Sequence, residues 1–246
     1  WEKYAYTDAS GVYAITGLLS GTYYLKFDPP YGTDYLTEYY NNKFTLAEAD
    51  GVSVALGSVV TGIDAALEIG GKIAGRVTAA LGEAPLQDVY VYVYTSTAST
   101  DDVAYDYTDA SGIYTITGLL SGTYYLKFYP SYGTDYLTEY YNNKFTLAEA
   151  DGVGVALGGV VTGVDAALDM GGKITGQVTA AVGGAPVDDV YVWAYTSTTS
   201  TSWEEYANTD ASGVYTITDL LSGTYYLKFD PPYGTGYLTE YYNDKR

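Results

Sequence analysis

The sequence predicts an all-β protein built of tandem sandwich modules, and three observations predict it. The stretch from Thr7 to Phe27 returns almost unchanged from Thr108 and again from Thr209, an offset of 101 residues each time. Self-similarity at a fixed period marks an array of like units. The chain is rich in strand-forming and turn-forming residues, with 32 Tyr and 29 Gly among its 246 residues, and shows little helical periodicity. Finally, Val89, Val91 and Val93 alternate with Tyr90, Tyr92 and Tyr94, the period of two that a strand with one buried face requires.

One whole unit lies between Gly70-Gly71-Lys72-Ile73 and Gly171-Gly172-Lys173-Ile174. Lys72 to Thr78 reads as a first strand with Ile73 and Val77 on one face, and Gly82-Glu83-Ala84-Pro85 as a turn. Val89 to Tyr94 is the second strand, followed by a Ser/Thr loop from Thr95 to Thr100. Tyr105 to Thr108 and Ile113 to Thr117 read as a hairpin closed by Asp109-Ala110-Ser111-Gly112. The Asp side chain bonds the turn backbone there, and the Gly takes positive φ. The same roles fall to Asp8 with Gly11 and to Asp210 with Gly213 in the other copies.

Gly122 to Phe128 is the next strand, with Tyr124, Leu126 and Phe128 facing one way. A connection rich in Tyr, Gly and Asn runs from Tyr129 to Lys144. Thr146-Leu147-Ala148-Glu149 has the spacing of a capping box, which predicts one helical turn. Val153 to Leu157 and Val161 to Leu168 are expected to close the unit as a hairpin across Gly158-Gly159. Seven strands in about a hundred residues is the scale of an immunoglobulin-like sandwich.

The domains read as 1–69, a partial module without the first two strands; 70–170, complete; and 171–246, partial, without the closing strands. A sandwich missing strands exposes its sheet edges. Either the sequence is a window on a longer tandem chain, or strands of neighbouring chains complete the end modules. The window is the simpler expectation, since strand exchange demands a more specific arrangement. The start at Trp1 rather than Met also reads as a processed chain or an excerpt.

Composition excludes several functions. With no Cys, the chain has no disulfide framework and no thiol chemistry; with no His, it lacks the usual general base. Thirty acidic against 11 basic residues give a net charge of −19, which argues against a nucleic-acid partner. No apolar run is long enough for membrane insertion within this stretch.

The repeat resembles the carboxypeptidase-regulatory-like and Cna-B-type (prealbumin-like) modules of bacterial surface proteins. The residues that carry the likeness are Gly75-Arg76-Val77-Thr78, Gly82-Glu83-Ala84-Pro85-Leu86, Val89 and Val91, Thr108-Asp109-Ala110-Ser111-Gly112-Ile113-Tyr114-Thr115-Ile116, Leu119 and Gly122-Thr123-Tyr124-Tyr125-Leu126. The resemblance implies a seven-stranded sandwich serving as a stalk, spacer or adhesin segment outside a prokaryotic cell. Some relatives carry an intramolecular Lys–Asn/Asp isopeptide bond assisted by a strand Glu, and Lys72 with Asp165 would be that pair here. Where such relatives show Leu-x-Glu, this chain has Leu126-Lys127-Phe128, so the assisting acid is missing from its expected place. The plainer reading is a solvent-exposed Lys72 and an Asp165 at the top of an edge strand.

The candidate interaction surface is the outward aromatic row Tyr90, Tyr92 and Tyr94, which returns as Tyr191, Trp193 and Tyr195. A contiguous exposed aromatic row marks an interaction surface. It suits packing of modules or chains, or stacking on the sugar rings of a polysaccharide. The alternative is a cross-strand ladder with Tyr105 and Tyr107 that only stabilises the sheet.

Asp101, Asp102, Asp106 and Asp109 have the oxygen ligands a Ca²⁺ site would need. However, Ala5 and Ala207 replace position 106, and Trp1 and Trp203 replace position 102, so no metal site is assigned. The Ser/Thr loops at 95–100 and 196–202 suit either O-glycans or a plain polar loop. No nucleophile–base set can be assembled, and Glu38 and Glu139 recur one per repeat rather than converging in one cleft. The sequence therefore reads as a non-enzymatic, cofactor-free extracellular repeat protein that associates with itself in a stalk or filament. A surface adhesin or carbohydrate-binding module using the same aromatic row is the alternative.

Overall fold

The computed structural model describes residues 3–31 and 33–242. It is an all-β structure whose one helical element is a single 3-10 turn, Leu147–Glu149, among the described residues. The chain divides into two compact units.

The first unit gathers the chain up to Lys72 with Thr117–Ser121 and Val155–Val160. Strands β1 (Gly21–Tyr24) and β4 (Gly51–Val54) pair antiparallel, as do β2 (Lys26–Phe27) and β3 (Glu38–Tyr39). Leu36 and Val52 are buried here. The Ser20 hydroxyl accepts the Leu56 amide at 2.8 Å, and one repeat later Ser121 accepts the Leu157 amide at 2.9 Å.

The second unit gathers Ile73–Ile116, Gly122–Gly154 and the chain from Val161 onward. One sheet of the second repeat has β6 (Tyr90–Tyr94) between β7 (Ala104–Tyr107) and β9 (Gly122–Tyr129). Beyond β9 lie β10 (Glu139–Tyr140) and β11 (Val153–Val155). The facing sheet is built on β5 (Gly71–Ala79), which pairs with β8 (Ile113–Leu119), β12 (Val160–Val161) and β13 (Ala166–Leu168). The β13–β5 pairing is parallel, with Ala166 opposite Val77. The third copy repeats the plan with β14 (Gly172–Gln177) on β17 (Val214–Leu220). Its other sheet runs β16 (Glu205–Asn208), β15 (Tyr191–Tyr195), β18 (Tyr226–Asp230) and β19 (Glu240–Tyr241).

Alternation decides what is inside. Val91 and Val93 of β6, Leu126 and Phe128 of β9, and Ile73 and Val77 of β5 are fully buried, so two apolar faces meet in one core. Tyr114 of β8 fills the space left by Gly75: its hydroxyl donates to the Val164 carbonyl at 2.6 Å, and a Cβ on Gly75 would run into that same carbonyl.

Three expectations are corrected. The turn Asp109–Gly112 does not close a hairpin, because β7 pairs with β6 while β8 pairs with β5. The turn instead carries the chain from one sheet to the other, a crossover that a sandwich needs wherever its sheets exchange strands. The closing segments do not pair with each other either, since β11 joins β9 whereas β12 and β13 flank β5. Finally, Thr146 and Glu149 do not form a capping box. The Thr146 hydroxyl donates to the Glu149 carboxylate at 2.8 Å and caps no backbone amide, which leaves a lone 3-10 turn.

Candidate functional site

Two surface features stand out: the outward faces of β6 and β15, and the connections between repeats. On β6 the valines take the inner face, so the tyrosines point outward. The Tyr90 and Tyr92 rings lie parallel with centroids 5.9 Å apart. Their register partners on β7 are Tyr107 and Tyr105, at ring separations of 5.2 and 6.0 Å. Lys127, opposite Tyr92 on β9, holds its ammonium 4.9 Å from the Tyr129 ring and 5.9 Å from the Tyr92 ring, both within cation–π range. Burial lowers the pKa of this lysine from its ordinary value and raises those of the Tyr92 and Tyr94 phenols.

The third copy builds the same face with indoles. Trp193 of β15 is the centre, 5.5 Å from the Tyr191 ring, 5.3 Å from Trp203 and 5.0 Å from Tyr206. Tyr94 and Tyr195 end their strands half-buried. The aromatic rows are thus cross-strand ladders whose outer edges stay wet: Tyr105 is 55% exposed, and Trp203 and Tyr206 are each 47% exposed. Such a face offers apolar rings rimmed by hydroxyls, suited to packing against another half-polar surface.

The connection between repeats is built from the segment Asp-Tyr-Leu-Thr-Glu, which occurs at 34–38 and 135–139. In the first unit the Leu36 amide donates to the Glu68 carbonyl, and Gly70 donates back to the Asp34 carbonyl, each at 2.9 Å. In the second unit Leu137 donates to Asp169 at 2.9 Å, and Gly171 to Asp135 at 2.8 Å. Lys72 pairs with Asp34 at 2.6 Å, and Lys173 with Asp135 at 2.8 Å. Glu139 lies inside this arrangement, 1% exposed, its Oε1 accepting the Asp169 amide at 2.6 Å. Glu38 accepts the Glu68 amide in the same way and is equally buried. The short linker into the following repeat is therefore bound like a strand to the preceding one. Its glycines are required by close approach: a Cβ on Gly70 would meet the Gly118 backbone, and one on Gly171 the Asp219 backbone.

The remaining sequence candidates have distinct places. Asp109 Oδ1 accepts the Ser111 and Ile113 amides at 2.8 and 2.9 Å, and Gly112 has φ +76°. Asp8 with Gly11 (φ +78°) and Asp210 with Gly213 (φ +73°) repeat the arrangement. Lys72 is not solvent-exposed but half-buried in its ion pair with Asp34, which corrects the plainer sequence reading. Asp165 Oδ1 accepts the Arg76 amide at 2.8 Å, so each of the two residues considered for an isopeptide bond is engaged elsewhere. Of the acidic residues near the β7 turn, Asp106 accepts the Thr115 amide at 2.7 Å and Asp109 shapes its turn; Trp1 lies outside the described residues. Among the described residues, no group of three acidic side chains is arranged as metal ligands.

Sequence reasoning missed Thr108 and Thr209. Both are buried, with Thr108 Oγ1 accepting the Val89 amide and donating to the Leu86 carbonyl; Thr209 does the same with Val190 and Val187. Their invariance across the copies was visible, but a Thr at the end of a strand reads as an ordinary strand residue.

Among the described residues no helix is long and apolar enough to cross a membrane. No protein-family model matches the sequence, and no curated protein matches it. Solved structures similar to this chain include the Bacillus anthracis TIE protein (18% identity, 96% of this chain and 41% of that one, TM-score 0.33). Another is a streptococcal ancillary pilin (14% identity, 94% and 74%, TM-score 0.40). A third is the shaft pilin SpaA from Lactobacillus rhamnosus GG (11% identity, 72% and 94%, TM-score 0.33). This chain thus spans less than half the length of the Bacillus anthracis protein it matches. With identities and TM-scores this low, the fold rests on this chain's own strands.

Proposed function

We propose that this chain is part of an extracellular, prokaryotic, non-enzymatic structural array, a stalk or fibre of tandem β-sandwich repeats. Within a chain the repeats are joined in series through their bound linkers, and neighbouring chains pack through the aromatic sheet faces. The observation that carries the reading is the linker. The same four contacts (two backbone hydrogen bonds, a Lys–Asp pair and a buried glutamate) recur where the first repeat passes into the second and where the second passes into the third. A linker meant only to tether would need none of them. In a repeat array each unit touches mainly its neighbours, so near-identical junctions propagate a near-constant step.

Electron microscopy of the full chain, compared with a variant carrying Tyr90→Ser, Tyr92→Ser and Tyr94→Ser, tests the proposal. Circular dichroism establishes that the variant's sheets persist. The wild type is expected to form ordered bundles or fibres with an axial repeat matching one module, and the variant to stay dispersed. Unchanged assembly by the folded variant, or no assembly by the wild type, would sink the reading. Saturable polysaccharide binding by dispersed wild-type chains would turn it toward the adhesin.

A further inference from the structure

Glu38 and Glu139 are the only buried carboxylates among the described residues. A carboxylate is rarely buried without a matched cation, because removing its charge from water is costly. Here the nearby lysines, Lys72 and Lys173, are committed to Asp34 and Asp135. In both glutamates Oε1 accepts one linker amide, while Oε2 is buried with no hydrogen-bond partner. An unsatisfied buried polar atom in a folded protein calls for an explanation, and this one occurs twice at equivalent positions.

The surroundings point the same way. Glu139 stands on β10 opposite Phe128 of β9, and Glu38 on β3 opposite Phe27 of β2. Neither opposing strand places a cation across from the glutamate. Lys127, the neighbour of Phe128, is turned to the Tyr92 and Tyr129 rings. The linker residue whose amide is held is itself acidic at both junctions, Glu68 in one and Asp169 in the other. Each junction also holds one Lys–Asp pair, and beside Phe27 Lys26 pairs with Asp28 at 2.9 Å. The contacts of Glu139 are thus an apolar partner on β9 and a like charge on the linker, beside a lysine already paired, surroundings that favour the neutral acid.

We infer that Glu139 is a positioning residue whose protonation sets how tightly the second repeat holds the linker into the third. As the neutral acid, the carboxyl keeps Oε1 as acceptor for the linker amide and buries no charge. Once ionised, it leaves a charge in an apolar niche beside a like charge on the linker, so the linker loosens. The Glu139 pKa is accordingly raised, by burial first and by the Asp169 charge, against the lowering effect of the Asp169 amide. For an acid raised in the folded state, the stabilising contribution is complete below its ordinary value and is lost as pH climbs through the raised one. The junction at Glu139 therefore tightens toward acid and relaxes toward neutral pH. This rests on the junction geometry and is independent of lateral assembly, so microscopy of fibres and the following measurement can fail separately.

The test is hydrogen exchange of the Asp169 amide in the full chain across the pH range, alongside E139Q and E139A variants. Gln retains the acceptor oxygen without the charge, whereas Ala removes the acceptor. After correction for intrinsic exchange, wild-type protection at this amide is expected to fall as pH rises above the ordinary carboxylate range. The Gln variant should hold a flat protection, equal to or above that of the acid form. The Ala variant should lose protection at every pH, with the β6 amides unchanged. Identical pH profiles for wild type and Gln variant would overturn the inference. So would loss of protection in the Gln variant, which would show that the ionised carboxylate is the form that grips.

Discussion

The second and third repeats carry almost the same residues in different surroundings. Leu137 and Leu238 sit in the same Tyr-Leu-Thr-Glu-Tyr-Tyr segment, yet Leu137 is 8% exposed and Leu238 63%. Glu139 is buried whereas Glu240 is half-buried, and Phe128 is fully buried whereas Phe229 is half-buried. What differs is the packing around them. In the second repeat β11 joins β9, β13 joins β5, and the linker lies against Leu137 and Glu139. Local sequence fixes which way each side chain points, while burial is conferred by strands that arrive later.

The largest effects should separate the two cores. Phe128→Ala empties a fully buried site, and such truncations cost about 3–5 kcal/mol. Phe229→Ala at the matching, half-buried position should cost about 1–2 kcal/mol, since less apolar area is lost. Native-state hydrogen exchange resolves the two within one chain, reading β6 amides for the first variant and β15 amides for the second. Equal losses would show that the third core is as tightly filled as the second.

A smaller difference should appear at the glycines beneath the core tyrosines. A Cβ at Gly75 meets the backbone carbonyl of Val164 as well as the Tyr114 ring, whereas at Gly176 it meets only Tyr215 side-chain atoms, the hydroxyl at 2.7 Å. Backbone held in a closing segment cannot yield, but the far end of a side chain can turn aside. Gly75→Ala should therefore cost about 1–3 kcal/mol, in the range of overpacked sites, and Gly176→Ala less than half of that. The same exchange experiment, read at β5 and β14, checks both. A greater loss at Gly176 would mean that Tyr215 is held by more than its own sheet.

These contrasts also show how far the sequence could be read. The alternation of Val89, Val91 and Val93 with tyrosines placed β6 and its two faces, because a strand's period is a local property. The Asp109 turn was equally legible, since its hydrogen bonds span five residues. The pairing of the strands on either side of it was not. Whether β8 returns to β7 or crosses to β5 depends on where distant Gly75 leaves room for Tyr114. The outward aromatic row and its ladder with Tyr105 and Tyr107 were both readable from spacing, but how much of each ring stays exposed was not. Glu139 hid in plain sight: it follows Leu137 by two residues, so strand periodicity placed it on the same inward face. It was weighed only as half of a catalytic carboxylate pair and set aside because it recurs one per repeat. Only the linker, thirty residues on, gives it a partner.

The smallest expected effect concerns the most conspicuous contact in each junction, the ion pair. Lys173 and Asp135 keep 45% and 40% of their side chains exposed. Water and salt screen a pair so placed, and exposed pairs contribute about 0–1 kcal/mol. Lys173→Met should therefore change protection of the Gly171 amide by a few tenths of a kcal/mol at low salt and by nothing measurable at high salt. The Leu137 and Gly171 backbone bonds and Glu139 remain in that variant, and they are what the linker rests on. If Lys173→Met instead released the linker outright, the charge pair would be its principal hold. The buried glutamate would then serve to shape the segment rather than to grip it.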